Sequence, residues 1–185
     1  RAYRESFFKG KRMCGVSSAR AGNVIGGGDW SKNRLLPDCI KSLTKKRKIV
    51  LRNPNFTRPW QLVLEPLKGY LILAEKQFKE PLKFSGSWNF GTQKKSSIKV
   101  KKIAELITHF WGHGEIKIIN KKKYKEQKDL RIDSSKAKKN LKWKTSYNTK
   151  KAIKVTCDWY FKVLKNKVNP IDITNKQIND YMKNR

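Results

Sequence analysis

GVSSARAGNVIGGGDW, residues Gly15–Trp30, is the stretch whose reading decides the fold. Gly15–Ala21 reads as a strand that runs into the glycine-rich loop Gly22–Trp30. Gly22, Gly26, Gly27 and Gly28 let the backbone approach a ligand closely or take positive φ. Asn23 and Asp29 add directional hydrogen bonding at the strand end, where open α/β sheets bind their ligands. The loop matches neither GxGxxG nor GxxxxGK(S/T), so it is not a dinucleotide or Walker phosphate loop. On residues alone a bent surface turn remains open as the plain alternative.

Outward from that loop, strand and helix signals alternate. Arg1–Phe8 (RAYRESFF) reads as the tail of a helix already under way, so the sequence is expected to begin inside a longer protein. A helix is expected from Leu35 to about Lys45, with Pro37 tolerated in its first turn. Ile49–Leu51 reads as a short strand. Arg52–Trp60, with two prolines and two asparagines, reads as an ordered loop. Leu67, Tyr70, Leu71, Ala74 and Phe78 fall at helical spacing, as do Val100, Ile103, Ala104, Ile107 and Phe110 before Gly112. Trp88–Phe90 and Ile116–Ile119 are strand candidates, and Lys121–Lys128 is a basic loop. Ser135–Leu141 is expected as a serine-capped helix. Tyr147–Leu164 reads as a long amphipathic helix with Ala152, Thr156, Trp159, Tyr160 and Val163 inward, and Asn175–Met182 as a last helix. No repeat and no long linker divides the chain. The alternation argues for an α/β architecture.

The chain has 185 residues, enough for one domain with a real core, and a net charge of +31. Such charge invites a nucleic-acid reading. Its distribution argues against one: 35 of the 45 basic residues are Lys, scattered over the whole length, while the Arg residues sit inside the ordered motifs. Nucleic-acid readers concentrate charge with Arg and aromatics on one face. A Lys-rich solvated surface with nonspecific, salt-sensitive polyanion attraction is the expectation, and a basic nucleic-acid-binding protein is the competing class. Three scattered cysteines, Cys14, Cys39 and Cys157, outside any CxxC pair fit a reduced cytoplasmic protein. No apolar run reaches the ~18–20 residues that span a bilayer, so no membrane association is expected. His109 and His113 have i, i+4 spacing, but Gly112 intervenes and no nearby Cys or carboxylate pattern completes a metal site.

The second chemical stretch is RNPNFTRPWQLVLEP, Arg52–Pro66. It holds Arg52 and Arg58 in a proline-stiffened segment beside Phe56 and Trp60. A guanidinium fork matches a diphosphate bidentately, with about 1.5–3 kcal/mol for each charge-assisted bond. The plain alternative is an arginine paired with Glu65 or Asp38.

Ser18–Trp30 (SARAGNVIGGGDW), Arg34–Asp38 (RLLPD) and Arg52–Leu71 (RNPNFTRPWQLVLEPLKGYL) together resemble the nucleotide-sugar 4,6-dehydratases of the CDP-glucose type. Trp88–Gly91 (WNFG), Leu130–Ala137 (LRIDSSKA), Leu141–Trp143 (LKW) and Asp158–Tyr160 (DWY) extend the resemblance in order over most of the chain. That family belongs to the extended short-chain dehydrogenase/reductases, with an N-terminal Rossmann domain and a smaller C-terminal substrate domain. The resemblance implies the C-terminal part of such an α/β enzyme. Residues 1–30 would end the Rossmann domain, and residues 31–185 would form the substrate domain, with the strand near 88–91 returning to the Rossmann sheet.

The reaction so implied uses NAD and converts CDP-glucose to CDP-4-keto-6-deoxyglucose, a precursor for surface polysaccharides. The catalytic Tyr and Lys would lie ahead of Arg1, and so would the cofactor loop. Ala21, Asn23 and Val24 would border the nicotinamide. Asn23, Arg34, Leu35, Arg52 and Arg58 would meet the substrate, with Arg58 on the diphosphate and Arg52 by the base. A homodimer is usual in such relatives. An enzyme acting on another nucleotide sugar, epimerase or dehydratase, is the nearest alternative. Two positions depart from the family: Leu62 stands where a histidine is usual, and Lys125, Glu126 and Gln127 replace a His-Glu-Ala stretch. The resemblance also implies that the isolated chain would expose apolar faces of Tyr3–Phe8 and Trp88–Phe90.

Overall fold

Short strands paired in parallel across long stretches of chain organise the molecule. The computed structural model describes residues 2–8, 14–92, 98–119 and 132–184. After helix α1 (Ala2–Phe7), strand β1 (Ser17–Ala21) and strand β2 (Asn23–Ile25) follow in quick succession. β1 lies parallel to β6 (Gly86–Phe90), β2 to β5 (Trp60–Leu62), and β3 (Ile49–Leu51) to β8 (Ile116–Ile118). β4 (Thr57–Arg58) and β7 (Ile98–Lys99) pair antiparallel. Parallel partners need a crossover, and helices supply it: α2 (Leu35–Thr44), α3 (Leu64–Lys79) and α4 (Val100–Trp111). The expected α/β class is what the chain adopts.

Local chemistry sets the helix ends. α4 stops at Gly112, whose φ of 90° puts it in the left-handed region that favours glycine. α6 (Thr149–Leu164) starts where the Asn148 side chain accepts the Lys151 N–H, and α7 (Pro170–Lys183) where Asn169 accepts from Ile171 with Pro170 in the first turn. α7 therefore begins five residues before the expected Asn175. α5 (Ser135–Leu141) is not capped by serine. The Asp133 carboxylate takes the Ser135 N–H at 3.0 Å, and the Ser134 hydroxyl donates instead to the Gly91 carbonyl. The stretch expected as an ordered loop, Arg52–Trp60, contains β4, and β2 sits inside the expected glycine loop. The Lys121–Lys128 loop lies outside the described residues.

Two apolar clusters form the core. The larger gathers α2, α4 and α6 with β2, β3 and β5, through Ile40, Leu43, Ile103, Ile107, Ile153 and Tyr160 among others. The second packs Trp88 and Phe90 of β6 against Leu73, Leu141 and Trp143, with Phe90 and Trp143 edge to face at 5.2 Å. Trp88 and Phe90 are thus buried, not exposed. α3 also departs from expectation. Its apolar stripe is largely outward, with Leu71 73% and Phe78 89% exposed, while Glu65, Pro66, Gly69 and Leu73 face inward. Gly69 explains the choice of face: a Cβ there would lie 2.3 Å from the Phe90 ring, so glycine lets the helix close onto β6.

The inward carboxylate of α3 ties the middle of the chain to its C-terminal part. Glu65 is fully buried. Its oxygens accept the backbone N–H of Ser146 at 3.0 Å, that of Tyr147 at 2.7 Å and the Tyr181 hydroxyl of α7 at 2.8 Å. The Trp143 indole N–H donates to the Glu65 carbonyl at 3.0 Å. Burial, helped by Glu65, pushes the Tyr181 phenol above its ordinary value of 10.0. Its neutral form therefore stabilises the fold below pH 10, and that contribution is lost as pH rises beyond it. Glu65→Ala strands three donors, each costing about 1–3 kcal/mol when left unpaired. Thermal unfolding should show a Tm fall of about 10 °C for Glu65→Ala and a smaller fall for Glu65→Gln. Tyr181→Phe should flatten the loss of stability in an alkaline denaturation series.

Candidate functional site

β1 and β2 deliver the chain to the mouth of a cleft of ≈ 590 Å³. Residues Ala21 to Gly26, the start of α2 and the β4–β5 segment form its walls. Six of the seven residues singled out in the sequence line it: Ala21, Asn23, Val24, Arg34, Leu35 and Arg58. The seventh, Arg52, lines an adjoining pocket of ≈ 370 Å³ that shares Asn33, Leu35, Asn53 and Val100 with the cleft.

Arg58 is held more firmly than an ordinary surface arginine. It is 8% exposed, its guanidinium donates to the Thr57 carbonyl at 2.8 Å and it lies 5.3 Å from the Phe56 ring centroid. Pairing of β4 with β7 puts Arg58 opposite Ile98 and fixes the backbone that carries it. Arg34 stands at the N-cap position of α2 without a side-chain cap, and its guanidinium reaches Asp29 at 3.6 Å. Of the two carboxylates weighed as arginine partners, Glu65 takes the donors given above, and Arg34 takes Asp29.

Asp29 fixes the rim of the cleft. Its Oδ1 accepts the Ser31 N–H at 2.9 Å, the Tyr160 hydroxyl donates to its carbonyl, and Lys41 Nζ donates to the next carbonyl, that of Trp30, at 2.6 Å. Burial pushes the Asp29 carboxyl up. The Ser31 hydrogen bonds and the charges of Arg34 and Lys41 outweigh it and hold the group below the usual range. Its own burial, helped by the Asp29 charge, pushes the Tyr160 phenol above its ordinary value.

The sequence pointed to Asp29 only as a loop hydrogen bonder. Asn33, which lines both cavities and takes φ 61°, was not singled out at all. Ile132, in the stretch Leu130–Ala137, completes the cleft wall from far along the chain, and nothing in the sequence assigned it a site role. Leu62 lies in the core, 2% exposed, beside its strand partner Ile25, and does not line the cleft. The second departure, at Lys125 to Gln127, is outside the described residues. Among the described residues no His, Cys, Asp and Glu cluster could hold a metal, and no helix is long and apolar enough to cross a membrane.

No protein-family model matches the sequence. The CDP-glucose 4,6-dehydratase of Salmonella typhimurium (strain LT2) is 34% identical over 186 residues, covering 98% of this chain and 52% of that protein. The chain is similar over nearly its whole length to a nucleotide-sugar dehydratase. Solved structures of extended short-chain dehydrogenase/reductases share its fold. UDP-glucuronic acid 4-epimerase from Bacillus cereus, with UDP-glucuronic acid and NAD, matches with a TM-score of 0.71 at 15% identity, over 88% of this chain and 48% of that one. dTDP-glucose 4,6-dehydratase from Bacillus anthracis, with NAD, matches with a TM-score of 0.70 at 18% identity, over 87% and 48%. The chain spans about half the length of the dehydratases and epimerases it matches. Its architecture is that of the C-terminal part of such an enzyme.

The rim's shape depends on Gly27 as well. A Cβ there would lie 2.1 Å from the Trp159 ring, and Trp159 is pinned by its indole N–H on Thr174 at 2.9 Å. Gly27→Ala therefore forces the loop or the ring to move, an overpacking cost of about 1–3 kcal/mol. Calorimetry should show a Tm lowered by several degrees, whereas Gly112→Ala, with open space around its Cβ, should act only through its backbone conformation.

Proposed function

We propose that the cleft takes the diphosphate of a nucleotide sugar, as part of an NAD-dependent 4,6-dehydratase converting CDP-glucose to CDP-4-keto-6-deoxyglucose. The observation that carries this reading is the meeting of Arg34, Arg58 and Asn23 in one cleft, in a chain 34% identical to the Salmonella CDP-glucose 4,6-dehydratase. Arg58, backed by Thr57 and Phe56, presents a fixed fork to the phosphates, and Arg34 adds a second charge from the start of α2. The pocket holding Arg52 takes the base, next to Asn33 and Val100. Asn23 hydrogen-bonds between diphosphate and sugar.

The wall from Ala21 to Val24 fits the nicotinamide end of NAD. Its residues are small at Ala21 and Gly22, and a Cβ on Gly22 would already lie 3.1 Å from the Pro59 carbonyl oxygen, so the backbone there is closely backed. NAD, when bound there, would supply reversible hydride acceptance for the dehydration of the sugar. This chain's own part is to bind and orient the diphosphate and to wall the sugar from water. The isolated chain is expected to turn over no substrate. In the same reading the whole enzyme is a cytoplasmic homodimer making sugar precursors of polysaccharides.

Isothermal titration tests the site on the chain as it stands. CDP-glucose should bind more tightly than UDP-, GDP- or dTDP-glucose. Arg58→Ala should weaken it by tenfold or more, the loss of about 1.5–3 kcal/mol expected for one charge-assisted bond, with Arg58→Lys between the two. Because Arg58 is largely buried, a Tm measured on each variant separates unfolding from lost affinity. Unchanged affinity in folded Arg58→Ala contradicts the assignment.

A further inference from the structure

Asp29 is the one carboxylate among the described residues that line the cleft. A site for a diphosphate gains nothing from a negative charge at its rim, since like charges in a partly dry cleft repel. The carboxylate is nonetheless held ionised. Burial opposes ionisation, and the Ser31 hydrogen bonds with the Arg34 and Lys41 charges overcome it. It is also held still, through Ser31 on Oδ1 and Tyr160 on the backbone carbonyl. The Arg34 guanidinium stands 3.6 Å from Oδ2, longer than the roughly 2.7–2.9 Å of a direct charge-assisted hydrogen bond.

An ionised carboxylate only accepts hydrogen bonds, so a fixed one with accepting capacity left calls for donors. Phosphates supply none. Sugar hydroxyls do, and two neighbouring hydroxyls match two carboxylate lone pairs. We propose that Asp29 accepts hydrogen bonds from a vicinal diol of the ligand, and so selects for the sugar portion while Arg34 and Arg58 hold the phosphates. The inference rests on the nucleotide-sugar reading above and adds to it a residue that reads hydroxyls. The diol belongs either to the ribose or to the transferred hexose.

Titrations of the wild-type chain and Asp29→Asn with four probes decide the matter: inorganic pyrophosphate, dCDP, CDP and CDP-glucose. The substitution keeps the shape and removes the charge. CDP-glucose affinity should fall about tenfold in Asp29→Asn, the loss of one charge-assisted bond. Pyrophosphate should bind at least as tightly as before, because a repelling charge is gone. A merely structural role would weaken all four probes together. If CDP falls with CDP-glucose while dCDP does not, the ribose is the diol read; if only CDP-glucose falls, it is the hexose. An unchanged ratio of CDP-glucose to pyrophosphate affinity overturns the role of Asp29 alone. Failure of every probe to bind the wild-type chain overturns the diphosphate site as well.

Discussion

A single buried carboxylate, Glu65, joins parts of the chain that are more than a hundred residues apart. Its oxygens hold the turn at Ser146 and Tyr147 and the Tyr181 hydroxyl of the last helix. A carboxylate fully out of water is tolerable only when its lone pairs are met, and here backbone N–H groups and a phenol meet them. The Trp143 indole reaches back to the Glu65 carbonyl, so the second apolar cluster is fastened at the same point. The strands of this fold are short and mostly paired two by two. Side-chain bonds of this kind, rather than a broad sheet, fix how the elements sit together.

The site inherits that rigidity. Gln61, one strand earlier, donates to the Phe90 carbonyl at 2.8 Å, and Thr149 donates to the Trp60 carbonyl at 3.1 Å. β5 is thereby clamped between the two clusters, with α3 beginning at its end. β4, carrying Arg58, directly precedes it. An arginine whose backbone is set this firmly gives up little rotamer freedom on binding an anion, which favours specificity over mere attraction. Among the described residues the lysines are mostly exposed and contribute a diffuse field, screened beyond about 10 Å at moderate salt.

Much of this was legible in the residues. Glycines at a strand end, arginines between prolines and helical spacing in α4 and α6 are local signals, and the structure puts those elements where the spacing places them. What escaped was set by contacts distant in sequence. The stripe from Leu67 to Phe78 has helical spacing, yet Gly69 against Phe90 decides which face turns inward, and no reading of α3 alone shows Phe90 nearby. The Ser134 hydroxyl prefers the Gly91 carbonyl to a cap for the same reason. Asn33 is missed because its positive φ comes from the turn that delivers Arg34, not from its own side chain. The role of Asp29 becomes visible only when Tyr160, 131 residues away, is seen at its carbonyl.

The proposed function requires two guanidinium groups, those of Arg34 and Arg58, to grip paired phosphates in one cleft. Side-chain ¹⁵N–¹H NMR of the arginines, recorded while CDP-glucose is added to the chain, tests it at the atoms concerned. The account predicts that the Arg58 and Arg34 Nε–H resonances shift and saturate together, with the ligand's ³¹P signals moving at the same midpoint. Shifts confined to the lysine-rich turn from Lys45 to Lys48, with Arg58 unmoved, would contradict it.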